Sequence, residues 1–367
     1  MGGLDVRSEL PLPTRFRGCL LGGAIGDALG GPVEFMRKAE IRRSFGPEGI
    51  RDYAEVYGRR GAITDDTQMT LFTAEGLIRA FVRQTTKGIA SVPSVVSHAY
   101  LRWLLTQDAS ASRILTIGTD GYLWTLPELH SRRAPGNTCL SALTRLKGFT
   151  DERAPNDSKG AGAIMRIAPV GLAGAHSADQ RSAWVFDQAI RISWITHGHP
   201  SGYLSAGAFA VIIHALIQGR SVGDGVEAAR AHLAEQPDAS ETLVKIDQAL
   251  ALARGGTSPD EALAAIGQGW VGEEALGIAI YCAAVAADFD SAVRMAVNHD
   301  GDSDTTGALV GQLLGARDGE GVLPERWLRE LELRDQIMAV ADDLEAFPTW
   351  DLHGEDEERI WERYPGW

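Results

Sequence analysis

Along this 367-residue chain apolar residues recur three and four positions apart, and alternating apolar–polar runs are scarce, so helices are expected rather than strands. Residues 15–29 carry Phe16, Leu20, Ala24 and Ala28 four apart, with glycine at 18, 22, 23 and 26. Glycine at that density weakens a helix, and it makes sense where a second helix must come very close. Gly30-Gly31-Pro32 ends the segment and sets Glu34 on the following turn. Residues 45–60 are polar and glycine-bearing and read as loop. Residues 63–83 form the second strong helix, with Leu71, Ala74, Ile78 and Phe81 on one face and Thr64-Asp65-Asp66-Thr67 as a capped start. Helical patterns continue over 95–105, 137–147, 178–197, 201–218, 222–235, 241–254, 259–266, 273–287, 290–297, 324–333 and 335–344. Residues 106–126 read as irregular. Turn signals do not recur at sandwich spacing and no repeat or linker stands out. The expectation is an all-α protein: a loose leader over 1–14, one compact many-helix domain over 15–345, and a tail over 346–367 packed on or near it.

Composition narrows the partners. Net charge is −14 and the pI is near 5.1, which argues against a nucleic-acid partner because no basic field would attract its phosphates. Cys19, Cys139 and Cys282 are far apart and odd in number, so neither a disulfide framework nor a zinc site is indicated. The apolar stretch 19–31 is interrupted by Asp27. Elsewhere no run of about 18 uncharged apolar residues is expected to span a membrane. The chain reads as cytoplasmic, with no membrane partner.

The densest candidate chemistry lies in 298–316, NHDGDSDTTGALVGQLLGA, which packs Asp300, Asp302, Asp304, Thr305 and Thr306 ahead of a glycine-rich helix. Crowded carboxylates repel one another, and burial would raise their pKa values. Solvent or the free N–H groups of the helix start can relieve them, and so can a metal. All the donors are hard oxygens, so that metal would be Mg²⁺, Mn²⁺ or Ca²⁺. Thr64-Asp65-Asp66-Thr67 repeats the design about 240 residues earlier. If the fold joins the two, the carboxylates and threonines suffice for two octahedral Mg²⁺ ions; otherwise they are two unrelated acidic caps. Glu34 joins them only if its helix packs against theirs. The loop 156–166, NDSKGAGAIMR, offers exposed N–H groups with Ser158 and Lys159, and such a loop can cradle phosphate. His197 and His199 are two apart, not four, so a single hydrogen-bonded histidine is expected rather than a ligand pair. Trp270, Glu273 and Glu274 read as core and capping before pocket wall.

Six stretches, in order, resemble the motifs of the ADP-ribosylglycohydrolases, the family of the dinitrogenase reductase-activating glycohydrolase: 18–35, 63–77, 156–172, 195–210, 269–282 and 298–316. That resemblance implies an all-α fold with a binuclear Mg²⁺ or Mn²⁺ centre at the base of a cleft. Carried onto this chain, it implies Thr64, Asp65, Asp66, Asp302, Asp304 and Thr305 as metal ligands. It implies Glu34 and Asp302 as catalytic candidates, and Ser158, Gly160, Gly162, Met165 and His197 as the part that holds ADP-ribose. The implied reaction is hydrolysis of an N- or O-glycosidic bond at C1 of the distal ribose of an ADP-ribosylated protein or small molecule. Alternatives are an O-acetyl-ADP-ribose or other nucleotide-sugar hydrolase, a Ca²⁺-stabilised helical protein, and a silent ADP-ribose binder of the crystallin kind. Two departures stand out: Asp300 replaces a glycine common in bacterial members, and Ala161 replaces Cys or Asn.

Overall fold

Glycine decides where two helices distant in the chain meet. The computed structural model describes residues 10–107, 118–146, 148–176 and 182–366. In chain order they form α1 (Leu12–Gly30), α2 (Lys38–Phe45), a small hairpin of β1 (Glu55–Val56) and β2 (Arg59–Arg60), α3 (Asp65–Lys87), α4 (Val92–Gln107) and α5 (Asn137–Arg145). Then come α6 (Ala168–Ala173), α7 (Ser182–Trp194), α8 (Pro200–Ile217), α9 (Val222–Ala234), α10 (Ser240–Gly255) and α11 (Pro259–Ile266). The last are α12 (Gly272–Val285), α13 (Phe289–Val297), α14 (Ser303–Asp318), α15 (Glu325–Glu330), α16 (Arg334–Ala346) and α17 (Glu357–Arg363). The fold is all-α.

Helices α1 and α14 run antiparallel, backbone against backbone. Gly18 faces Gly315, Gly22 faces Gly311 and Gly26 faces Gly307, and a Cβ on any of the six would fall within 3.0 Å of the opposite main chain. The register continues to Gly30, which abuts Ser303 and Asp304. Buried Arg15 closes the other end by donating to Leu216 O, Ala316 O and Arg317 O, carbonyls at the C-terminal ends of α8 and α14.

Around this pair the apolar faces of α3, α6, α8, α12, α13 and α16 form a continuous core. Helix α8 has the length and hydropathy of a membrane span, contrary to the sequence expectation, but 89% of it is buried inside the protein. It is apolar all round because α6, α7, α9 and α12 cover it.

Other departures are local. Helix α1 begins at Leu12, inside the expected leader, with Pro13 in its first turn, where a missing N–H costs nothing. Residues 38–45 are helical, and the expected loop holds the hairpin Glu55–Arg60 with Tyr57 at positive φ in its turn. The tail contains α17 and buried Tyr364. Residues 1–9 of the expected leader, 108–117 of the irregular stretch, 147, and 178–181 of the helix expected over 178–197 lie outside the described residues.

Candidate active site

The glycine register sets the end of α1 beside the start of α14, and Glu34 follows one 3₁₀ turn later. The start of α3 is then tied to α1 by Asp27. This carboxylate, fully buried, accepts Thr64 N–H at 3.0 Å and Thr67 N–H at 3.1 Å, and the Thr67 hydroxyl as well. The two acidic helix starts, far apart in sequence, therefore meet.

Glu34, Asp65, Asp66, Asp302, Asp304 and Thr305 line one cleft of about 190 Å³ and are all nearly inaccessible. Carboxylate oxygens of Glu34, Asp302 and Asp304 lie within 4.8 Å of one another. Asp65 accepts Gly136 N–H at 3.3 Å and Asp304 accepts Thr305 N–H at 2.9 Å. Asp302 stands at the N-cap position of α14, but its side chain makes no capping bond. Among the described residues Glu34 Oε2 and Asp66 Oδ1 are buried without a partner.

Such crowding drives the acids toward the protonated form. Burial, then Asp304 and Asp302, push Glu34 up to about 11. Burial first and Asp304 second hold Asp65, Asp66 and Asp302 well above the carboxylate range. Asp27 is raised to about 7 by burial and then Asp304. Asp304 is also raised by burial, with hydrogen bonds from its neighbours, including the Thr64 hydroxyl, opposing the rise. Orphaned buried oxygens in an all-oxygen donor set fit a hard divalent cation, which would reverse these shifts.

The opposite wall is the glycine loop. Gly160, Ala161, Gly162, Met165, His197 and Trp270 line it together with Asn137, Thr138 and Cys139 at the start of α5. Ala161 N–H donates to Trp270 O at 3.0 Å, and Gly160 forms an isolated antiparallel bridge with Val271. A Cβ at Gly162 would lie 3.2 Å from His197 Cε1, so the bare backbone keeps this wall open beside the ring. Burial, then Arg166, push His197 down to about 3, which keeps the ring neutral.

The ADP-ribosylglycohydrolase family model matches residues 9–353. The chain belongs to this family. The ADP-ribosyl-(dinitrogen reductase) glycohydrolase of Rhodospirillum rubrum is 28% identical over 324 residues, covering 87% of this chain and 91% of that protein. The ADP-ribosylarginine hydrolase Tri1 of Pseudomonas putida is 25% identical, covering 90% and 77%. A solved ADP-ribosylglycohydrolase-related protein complex superimposes with a TM-score of 0.61 at 26% identity, covering 92% of this chain and 98% of that one.

Seen as an ADP-ribosylglycohydrolase, the chain places its expected residues unevenly. Ten of the twelve line the cleft; Thr64 and Ser158 do not. The Thr64 hydroxyl caps α3 by accepting Asp66 N–H at 3.3 Å. Ser158 shares a hydrogen bond with Thr138 at 2.9 Å, behind the glycine loop. Lys159 turns away, its amine held by Glu241 at 2.8 Å and Glu273 at 2.7 Å. Trp270 is pocket wall rather than core, 39% exposed and stacked on exposed Phe35. Asp300 is exposed and accepts Lys38 N–H at 2.7 Å, capping the start of α2 instead of entering the cleft.

Proposed function

We propose that the chain hydrolyses ADP-ribose conjugates at C1 of the distal ribose, using a pair of Mg²⁺ or Mn²⁺ ions held by Asp65, Asp66, Asp302, Asp304 and Thr305. The observation that supports this most directly is the convergence of two distant acidic helix starts and Glu34 in one cleft facing a bare glycine loop. Thr64 steadies Asp304 through its hydroxyl and holds the start of α3. When bound, the ions supply positive charge that offsets the carboxylates and makes water more acidic at neutral pH.

The remaining roles belong to the chain. The glycine loop over 160–162 offers backbone to the diphosphate, with His197 and Met165 beside it. With the repulsion of its neighbours offset by that positive charge Glu34 is ionised, and its Oε2, buried and unpartnered among the described residues, accepts the proton of the attacking water. The carboxylates around the ribose stabilise the oxocarbenium character that develops as the glycosidic bond breaks. The relatives named for dinitrogen reductase and for ADP-ribosylarginine support a conjugate of ADP-ribose as the substrate class.

The test is a substrate panel of ADP-ribosyl-arginine, ADP-ribosyl-serine and O-acetyl-ADP-ribose, each with Mg²⁺, Mn²⁺ or EDTA, following free ADP-ribose. Release from one substrate that EDTA abolishes is expected and identifies the leaving group. Equal release in EDTA would remove the metal centre from the reading, and absence of release from all three would remove the reaction.

A further inference from the structure

Arg166 is fully buried behind the glycine loop, and among the described residues it makes no ion pair. Its Nη1 donates to Cys139 Sγ at 3.3 Å and Met69 Sδ at 3.4 Å, and its Nη2 to Thr196 Oγ1 at 2.5 Å. Its guanidinium carbon lies 4.2 Å from the centroid of the Tyr100 ring, and its Nε has no partner among the described residues. A guanidinium does not lose its proton in a protein and can only donate. The interior therefore carries a permanent positive charge with no carboxylate against it, an arrangement costly unless something nearby uses it.

The donors and acceptors run in one direction. Thr196 Oγ1 accepts from Arg166, and its one proton can be given to His197 Nδ1, 2.8 Å away. In that arrangement Nδ1 presents its lone pair and the ring proton sits on Nε2. That nitrogen faces the cleft: a Cβ on Gly160 would lie 3.4 Å from it and one on Gly162 3.5 Å. It makes no hydrogen bond to the described residues. Burial and the guanidinium both oppose a second proton on the ring.

We propose that Arg166 and Thr196 lock His197 into the Nε2–H tautomer, so that the ring stands as a neutral donor to a diphosphate oxygen of the bound conjugate. Arg166 and Thr196 are positioning residues; His197 is the group that touches substrate. The unneutralised charge behind the ring also favours an anion in front of it. The identity of the ligand rests on the proposed function, whereas the tautomer does not.

Two measurements separate these parts. In ¹⁵N-histidine-labelled protein without ligand, the His197 signal is identified by its loss in His197→Asn. A protonated Nε2 and an unprotonated Nδ1 are expected in the wild type and in Thr196→Ser, with the preference lost in Thr196→Val. By calorimetry with ADP-ribose, Thr196→Val weakens binding on the order of 10-fold and Thr196→Ser by about twofold or less. A wild-type Nδ1–H tautomer or an imidazolium near neutral pH overturns the lock, as does full affinity in Thr196→Val with the tautomer gone. A wild type with the expected tautomer that does not bind ADP-ribose overturns the ligand and leaves the lock standing.

Discussion

At the start of α3 a threonine does the capping and a carboxylate from another helix does the holding: Thr64 takes Asp66 N–H, and Asp27 on α1 takes Thr64 and Thr67. At the start of α14 the holding is done by backbone and a hydroxyl. Asp302 N–H donates to Gln268 O at 2.8 Å, Gly301 adopts a φ of 148° against that same residue, and Thr306 Oγ1 bonds Asp302 O at 2.7 Å. Near-identical letters, TDDT and DSDT, are thus anchored by unrelated means. In both, one carboxylate that faces the cleft, that of Asp66 or Asp302, takes no part in securing the helix start. Asp66 Oδ1 is left unpartnered, and Asp302 makes no capping bond although it occupies the capping position. An acidic N-cap serves its own helix; Asp66 Oδ1 and the Asp302 carboxylate are released from that duty.

The comparison breaks most sharply on turnover. Asp66→Ala and Asp302→Ala are each expected to lower the hydrolysis rate on the order of 1,000-fold with helical circular dichroism unchanged, since each removes charge at the reacting centre. A wild-type rate in one of them would detach that helix start from the site.

Next in size is the anchor that only the first start possesses. Asp27→Ala leaves buried N–H groups of Thr64 and Thr67 without an acceptor, and a loss of roughly 3 kcal/mol in urea unfolding is expected. Among the described residues no carboxylate from another helix holds the second start, and a change below about 0.5 kcal/mol in Asp27→Ala would show that the start of α3 is held by packing instead.

Metal removal gives a smaller effect that both starts share. The acids have folded pKa values above their unfolded value of about 4, so the folded state binds more protons and stability falls as pH rises. With EDTA the melting temperature should drop between about pH 5 and pH 7, the window in which Glu34 at about 11 and Asp27 at about 7 both contribute. With saturating Mg²⁺ or Mn²⁺ the slope should flatten. The smallest effect belongs to Asp300→Gly, which removes an exposed cap from α2. It should cost about 0.5–1 kcal/mol and leave the rate per folded molecule unchanged, because Asp300 points away from the cleft.

Legibility followed local chemistry. The start of α3 was readable because Thr64 and Asp65 sit at capping positions ahead of a periodic face. Close approach along α1 was readable because glycine every four residues has few other uses, although its partner α14 could not be identified from spacing alone. Asp27 was readable only as an interruption of an apolar run. Its sequence signal was real, since an acid on a buried helix needs partners, but those partners lie in another helix. Lys159 looked like a phosphate ligand by composition and turned outward because Glu241 and Glu273, on other helices, compete for it. Arg166 carried no local sign that its neighbours would be sulfur, a ring and Thr196. Trp270 was assigned to the core because exposure is a property of the assembled cleft.

The backbone contact between α1 and α14 also sets an order of events in the cell. Gly18 and Gly315 are nearly 300 residues apart in the chain. At ordinary elongation rates the ribosome needs roughly 15–60 s to travel from one helix to the other. Throughout that interval the glycine face of α1 has no partner to close on, and Glu34 has no acids of α14 beside it. The cleft is therefore assembled late, as one of the last long-range closures. A nascent chain that stalls before α14 would present an exposed glycine-rich helix to chaperones and proteases, and none of the proposed activity to its substrates.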